Sequence, residues 1–257
     1  MPVSLRDIDK TLKELLKPED FLDFCPNGIQ IEWKGEIERI VTGVTASMAL
    51  VEAAINEKAD IILVHHGYFW KGEDKAITGL KKARIQLLLR NDISLCAYHL
   101  PLDAHPELGN NAQLAIVLGI NQQNPLDIAK KHPIVFSGEL AIPQSFREFQ
   151  SRKGSQLRRE PFSIEGRSKK IKSLAWCTGA AQNFIDLAVD ADVDAYLTGE
   201  VSEQTVHVAR ESGLHFFAAG HHATERYGVQ ALGDYLARQH SLCLLYTSPS
   251  PRDATLS

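Results

Sequence analysis

Cysteine is scarce and dispersed in this sequence. The 257 residues include four, Cys25, Cys96, Cys177 and Cys243, with no CxxC pair among them. That spacing excludes a disulfide-stapled scaffold and a cysteine-built zinc site, and it fits a reducing, cytoplasmic setting. Long apolar runs are also lacking, and none approaches the roughly 18–20 residues that cross a bilayer. The N-terminal MPVSLRD has no basic stretch leading into an apolar one, so no signal peptide is expected. Net charge is small: 28 Lys and Arg against 32 Asp and Glu give a formal −4. This excludes nucleic-acid binding driven by bulk charge. No GxGxxG or GxxxxGK[ST] loop occurs, which argues against a Rossmann cofactor or P-loop nucleotide site. A GxSxG serine nucleophile is missing too. What the chain does have is ten histidines, several of them clustered.

Apolar periodicity predicts alternating helices and strands. Ser4 to Leu16 sets Leu5, Ile8, Leu12, Leu15 and Leu16 on one helical face, closed by Pro18. Strands are expected at 39–44, 61–64 and 93–98, with helices at 47–58, 78–90 and 110–118 and a loop at 121–125. Ile61 to Val64 is wholly apolar, the mark of a strand buried on both faces. A strand at 136–142 follows. Residues 147–172 then carry nine Lys and Arg against three acidic residues. This stretch reads as a solvated, mobile basic surface, with phosphate or nucleic-acid binding through Arg158 and Arg159 as its functional alternative. Alternation resumes with strands at 173–177, 194–197 and 214–218 and helices at 182–189, 202–211 and 223–239. The expected class is α/β with mainly parallel pairing.

The flanks echo each other. Val41-Thr42-Gly43, a helix, and Asp60 before a strand are followed by Cys177-Thr178-Gly179, a helix, and Asp194 before a strand. Two similar lobes, an internal duplication, are therefore expected. The boundaries read as 1–125 for the first lobe, 126–170 for a basic connecting insertion and 171–242 for the second lobe. The remainder, 243–257, reads as a non-native tail, because CLLYTSPSPRD resembles the translation of a sequencing adapter. Leu242 to Tyr246 is apolar enough to imitate a strand.

Polar residues gather where the apolar strands end, which is where open α/β sheets bind ligands. They are His65 and His66, His99 and Asp103, Glu200, and His221, His222 and Glu225. Imidazole nitrogen and carboxylate oxygen suit zinc, iron or manganese and do not choose among them. Gly67 is expected to free the chain to turn after the histidine pair, and Asp103 to sit in a loop beyond Pro101. His221 and Glu225, four apart, would share one helical face. A single histidine at a strand end is most often structural. Three such groups together point to a metal site. Phe69 and Trp70 read either as rim packing or as a stacking surface. Gly28 reads as a turn residue, with Asn27 beside it near the cavity. Cys96, inside a strand, reads as core.

Four stretches, VHHGYFW (64–70), YHLPLDAHPELGNNAQLA (98–115), YLTGEVSEQ (196–204) and GHHATERYGVQALGDYL (220–236), closely resemble the Nif-three-like family, as does DFCPNGIQIEW (23–33). Its members are often labelled GTP cyclohydrolase I type 2 homologs. The resemblance implies two similar α/β lobes, ring-shaped homohexamers and two divalent metal ions between the lobes. The implied ligands are His65, His66, Asp103, His221 and Glu225. His99 and Glu200 match further polar positions lining the same cavity, and proton transfer would fall to His99, Glu200 or His222. The implied reaction is hydrolytic opening of the guanine imidazole ring of GTP, with another phosphorylated small molecule as the broader substrate class. A non-enzymatic metal-binding scaffold engaging nucleic acid or protein is the competing expectation.

Overall fold

The first strand, β1 (Val3–Ser4), runs directly into a helix cap. Ser4 accepts a hydrogen bond from the Asp7 amide, so α1 (Leu5–Leu16) starts there. Leu5, Ile8, Leu12 and Leu16 are its buried stripe, each adding about 1.5–3 kcal/mol on burial. Lys17 in the left-handed region and Pro18 end it. This computed structural model describes residues 2–33, 35–120, 123–129 and 131–246. They form two units, Met1–Leu102 with Val229–Ser257, and Asp103–Gly228.

The first unit continues with β2 (Gly28–Ile31), β3 (Glu36–Ile37), β4 (Arg39–Thr45), α2 (Met48–Asn56), β5 (Ile61–His66), α3 (Gly79–Arg90) and β6 (Ser94–Ala97). The short helix α4 (Leu100–Ala104) carries the chain into the second unit. Strands β4, β5 and β6 pair in parallel, and β2 joins the far side of β6 antiparallel. Val41, Ile62, Val64, Leu95 and the α2 residues Leu50, Val51 and Ala54 make the core. Gly28 is not in a turn, as its sequence suggested, but opens β2 opposite Ala97, with a φ of +111° that favours glycine.

The second unit contains α5 (Asn110–Leu118), β7 (Asn124–Pro125), β8 (Phe136–Gln144), α6 (Phe146–Gln156), β9 (Phe162–Ile164), β10 (Ile171–Trp176), α7 (Ile185–Asp190), β11 (Ala195–Thr198), α8 (Glu203–Ser212) and β12 (His215–Ala218). Strands β10, β11 and β12 are parallel, while β7, β8 and β9 add antiparallel edges. Helix α9 (His221–His240) begins in this unit and ends in the first. There Gly233 packs against Thr42 and Leu244. The last described strand, β13 (Cys243–Tyr246), pairs in parallel with β4. The rest of the expected tail, 247–257, lies outside the described residues, as do residues 121 and 122 of the expected 121–125 loop.

Three sequence expectations need correction. Residues 126–170 are not a connector, because β8 and β9 are strands of the second sheet. The basic stretch is not simply a solvated surface either. Ser145 and Glu148 form a reciprocal capping box that starts α6, and Phe149, Lys153 and Leu157 are buried. Lobe boundaries shift accordingly: residues 103–125 belong with the second unit and 229–242 with the first.

The two units repeat a device as well as a core of three parallel strands flanked on one side by an antiparallel one. Asp60 Oδ2 accepts the amides of Glu38 and Arg39, and Asp194 Oδ2 accepts those of Lys172 and Ser173. Each aspartate thus ties the start of one parallel strand to the start of its neighbour. Ile61 pairs with Ser94, and Ala195 pairs with His215. Matching those registers sets His66 against Glu200 and His99 against Gly220. The His99–Asp103 and His221–Glu225 pairs are therefore one residue out of phase.

Candidate metal centre

In the first unit, β5 delivers two adjacent histidines at its carboxyl end. His65 is fully buried and His66 half-buried. His65 Nδ1–H donates to the Tyr98 carbonyl at 3.0 Å. A carbonyl only accepts, so in the neutral ring the lone pair is on Nε2, the atom a metal would use. His66 Nδ1 lies 3.1 Å from Thr45 Oγ1. The strand runs through both residues and their ring centroids are 4.5 Å apart. Gly67 is required for close approach rather than for turning, because a Cβ there would collide with Gln30 Oε1 and Ala97.

His99 joins the pair, with ring centroids 5.0 Å from His65 and 5.7 Å from His66. One nitrogen from each of the three rings falls within 4.8 Å of the others, a spacing able to hold a metal ion. Trp70 sits edge-on to His99 at 5.1 Å and near His66 at 5.8 Å, so it is part of the histidine cluster's wall. Phe69 beside it adopts φ +64° and packs partly against the core.

Sequence reading missed Asp23. Its Oδ1 accepts His99 Nδ1–H at 2.7 Å, and its Oδ2 accepts the Leu100 amide at 2.9 Å. Burial pushes this carboxyl's pKa up, but the His99, Asn27 and Phe24 donors outweigh it and hold it below the ordinary value. Cys25 lies near both groups, yet burial and the Asp23 charge push its thiol up to about 12. Cys96 is fully buried in β6, and its thiol is likewise pushed up.

In the second unit, α9 starts at His221 and puts Glu225 one turn on. His221 Nε2 lies 3.1 Å from Glu225 Oε2, and Nδ1 lies 2.7 Å from Glu200 Oε1. Burial pulls the imidazole pKa down, but hydrogen bonds and charge from Glu225 and Glu200 carry it up to about 9. Asp103 is in α4, not in a loop, and is buried. Its Oδ1 accepts Asn110 Nδ2 at 2.9 Å and Thr178 Oγ1 at 3.3 Å. Carboxylate oxygens of Asp103 and Glu225 come within 4.8 Å of each other. Gly179, at φ +68°, leaves the space Glu225 fills, since a Cβ there would collide with its Oε1. His222 is half-buried and joins none of the ligand-capable groups among the described residues. Imidazole and carboxylate donors held by second partners fit divalent ions such as zinc, iron or manganese. No helix among the described residues is long and apolar enough to cross a membrane.

A profile described as Duf34/NIF3 (NGG1p interacting factor 3) matches residues 3–249. A Pseudomonas aeruginosa protein named GTP cyclohydrolase 1 type 2 homolog is 52% identical over 252 residues, spanning 98% of this chain and 100% of that protein. The solved structure of protein ybgI, described as of unknown function, superposes with a TM-score of 0.92 at 47% identity, covering 97% of this chain and 100% of that one. TTHA1606 from Thermus thermophilus does so with a TM-score of 0.88 at 30% identity, covering 97% and 100%. The chain belongs to the Duf34/NIF3 family.

Proposed function

We propose that this protein is a metal-dependent hydrolase holding two divalent ions on His65, His66, Asp103, His221 and Glu225. Its proposed reaction is hydrolytic opening of the guanine imidazole ring of GTP with release of formate. The observation that carries the reading is the second-partner bonding of the donors. His65 is fixed by the Tyr98 carbonyl, His221 by Glu200, and Asp103 by Asn110 and Thr178. When bound, such ions lower the pKa of water and polarise a substrate oxygen. Asp103 and Glu225 offset only half of a formal +4, which favours an anionic substrate. His99 accepts a proton through Nε2, Glu200 orients His221, and His222 is the further proton carrier. The names of the curated relatives support the choice of GTP. A cytoplasmic homohexamer is part of the same proposal.

The test is formate release from GTP by protein loaded with zinc, iron or manganese. Turnover that disappears in His65→Ala and Glu225→Ala, with circular dichroism unchanged, supports the reading. No formate with any of the three metals overturns it. Salt-sensitive nucleic-acid binding that needs Arg158 and Arg159 but survives loss of the ligands would favour the scaffold instead.

A further inference from the structure

We propose that Asp23 is a positioning residue for His99. Its carboxylate holds the Nδ1 proton and so fixes the tautomer in which Nε2 carries the ring's lone pair. Asp23 is only 3% exposed and His99 16%. The carboxylate takes four donors: His99 Nδ1 and the Phe24 amide on Oδ1, Asn27 Nδ2 and the Leu100 amide on Oδ2. Four bonds use the accepting capacity of a carboxylate, so Asp23 serves as a buttress and not as a metal ligand.

Asn27 completes the lock. Its Oδ1 accepts the His99 amide at 2.7 Å while its Nδ2 donates to Asp23 at 2.8 Å. Two side chains from one loop thus hold both the backbone and the ring of His99. The alternative tautomer would set a nitrogen lone pair against a carboxylate oxygen at 2.7 Å, a repulsive contact. The ring's orientation is fixed by the same bond, and it packs beside His65 and His66. This is the job of the aspartate in a catalytic triad, done on an unrelated fold. DFCPNG is then more than a turn: Asp23 and Asn27 in it set the chemistry of a residue 76 positions beyond Asp23. The tautomer follows from the hydrogen bonds alone, while its use in proton transfer rests on the hydrolase reading above.

The experiment is long-range 1H–15N correlation on the full chain labelled at histidine, at pH 8.5, with His99 assigned from its loss in His99→Gln. We expect Nδ1–H in the wild type. Asp23→Asn should give mixed tautomers, with turnover falling about 10- to 100-fold at unchanged KM. An Nε2–H or doubly protonated ring in the wild type overturns the proposal, and so does an unchanged tautomer in Asp23→Asn. If that variant fails to fold, the wild-type spectrum still decides. Lack of GTP turnover in the wild type sinks the hydrolase reading and leaves the tautomer result standing.

Discussion

Gly179 and Glu225 are matched in shape: the bare Cα of the glycine, at φ +68°, leaves the volume that Glu225 Oε1 occupies. Gly119 has nearly the same φ, +73°, with nothing within 4 Å of the position its Cβ would take. Gly119→Ala should therefore cost only the left-handed backbone term, about 1–2 kcal/mol. Gly179→Ala should cost more and also weaken Zn2+ binding at least about 10-fold, because Glu225 must move. Thermal melts and zinc titrations of the two variants check this. Equal melts and equal affinities would remove the argument.

Lys153 is buried in α6, where its ammonium donates to the Leu118 carbonyl at 2.7 Å and to Gln156 Oε1 at 2.9 Å. Burial, followed by the Arg152 charge, pulls its pKa from 10.5 down to about 8. Between those two values the unfolded chain binds a proton that the folded chain does not. Stability contributed by this group therefore rises as pH climbs through that window. Urea melts at pH 8, 9 and 10 should show the wild type gaining on Lys153→Met. Curves that stay parallel would mean the ammonium is charged throughout.

Asp60 and Asp194 each accept two amides at the start of a parallel strand. Replacing either by alanine leaves both amides without that acceptor. Each variant should lose about 1.5–3 kcal/mol, with metal content unchanged. Denaturant melts beside metal analysis test the pair. A large loss in one and none in the other would show that the repeated geometry is not a repeated energy.

The sequence carries the central strands and helices because their apolar periodicity is local. The buried run at 61–64 and the stripe of α1 need no distant partner to be recognised. The histidines stand at the end of β5 for the same reason. Other features depend on separation. Asp23 meets His99 across 76 positions, and nothing in DFCPNG announces a carboxylate buttress. Asp103 reads as a loop residue because Pro101 suggests a break, yet proline fits the first turn of α4. Helix α6 was visible in principle: Ser145 and Glu148 have capping-box spacing, but a basic composition masked the buried Phe149 and Leu157. The phase difference between the two histidine motifs appears only once strand register is known.

The proposed hydrolase needs two metal ions held by His65, His66, Asp103, His221 and Glu225. The deciding measurement is metal content per chain, by mass spectrometry, on protein purified without a chelating tag. Near two equivalents are expected in the wild type, with a clear fall in Glu225→Ala while the fold is retained. Less than half an equivalent in well-folded wild type, not restored by added zinc, iron or manganese, would contradict the hydrolase reading.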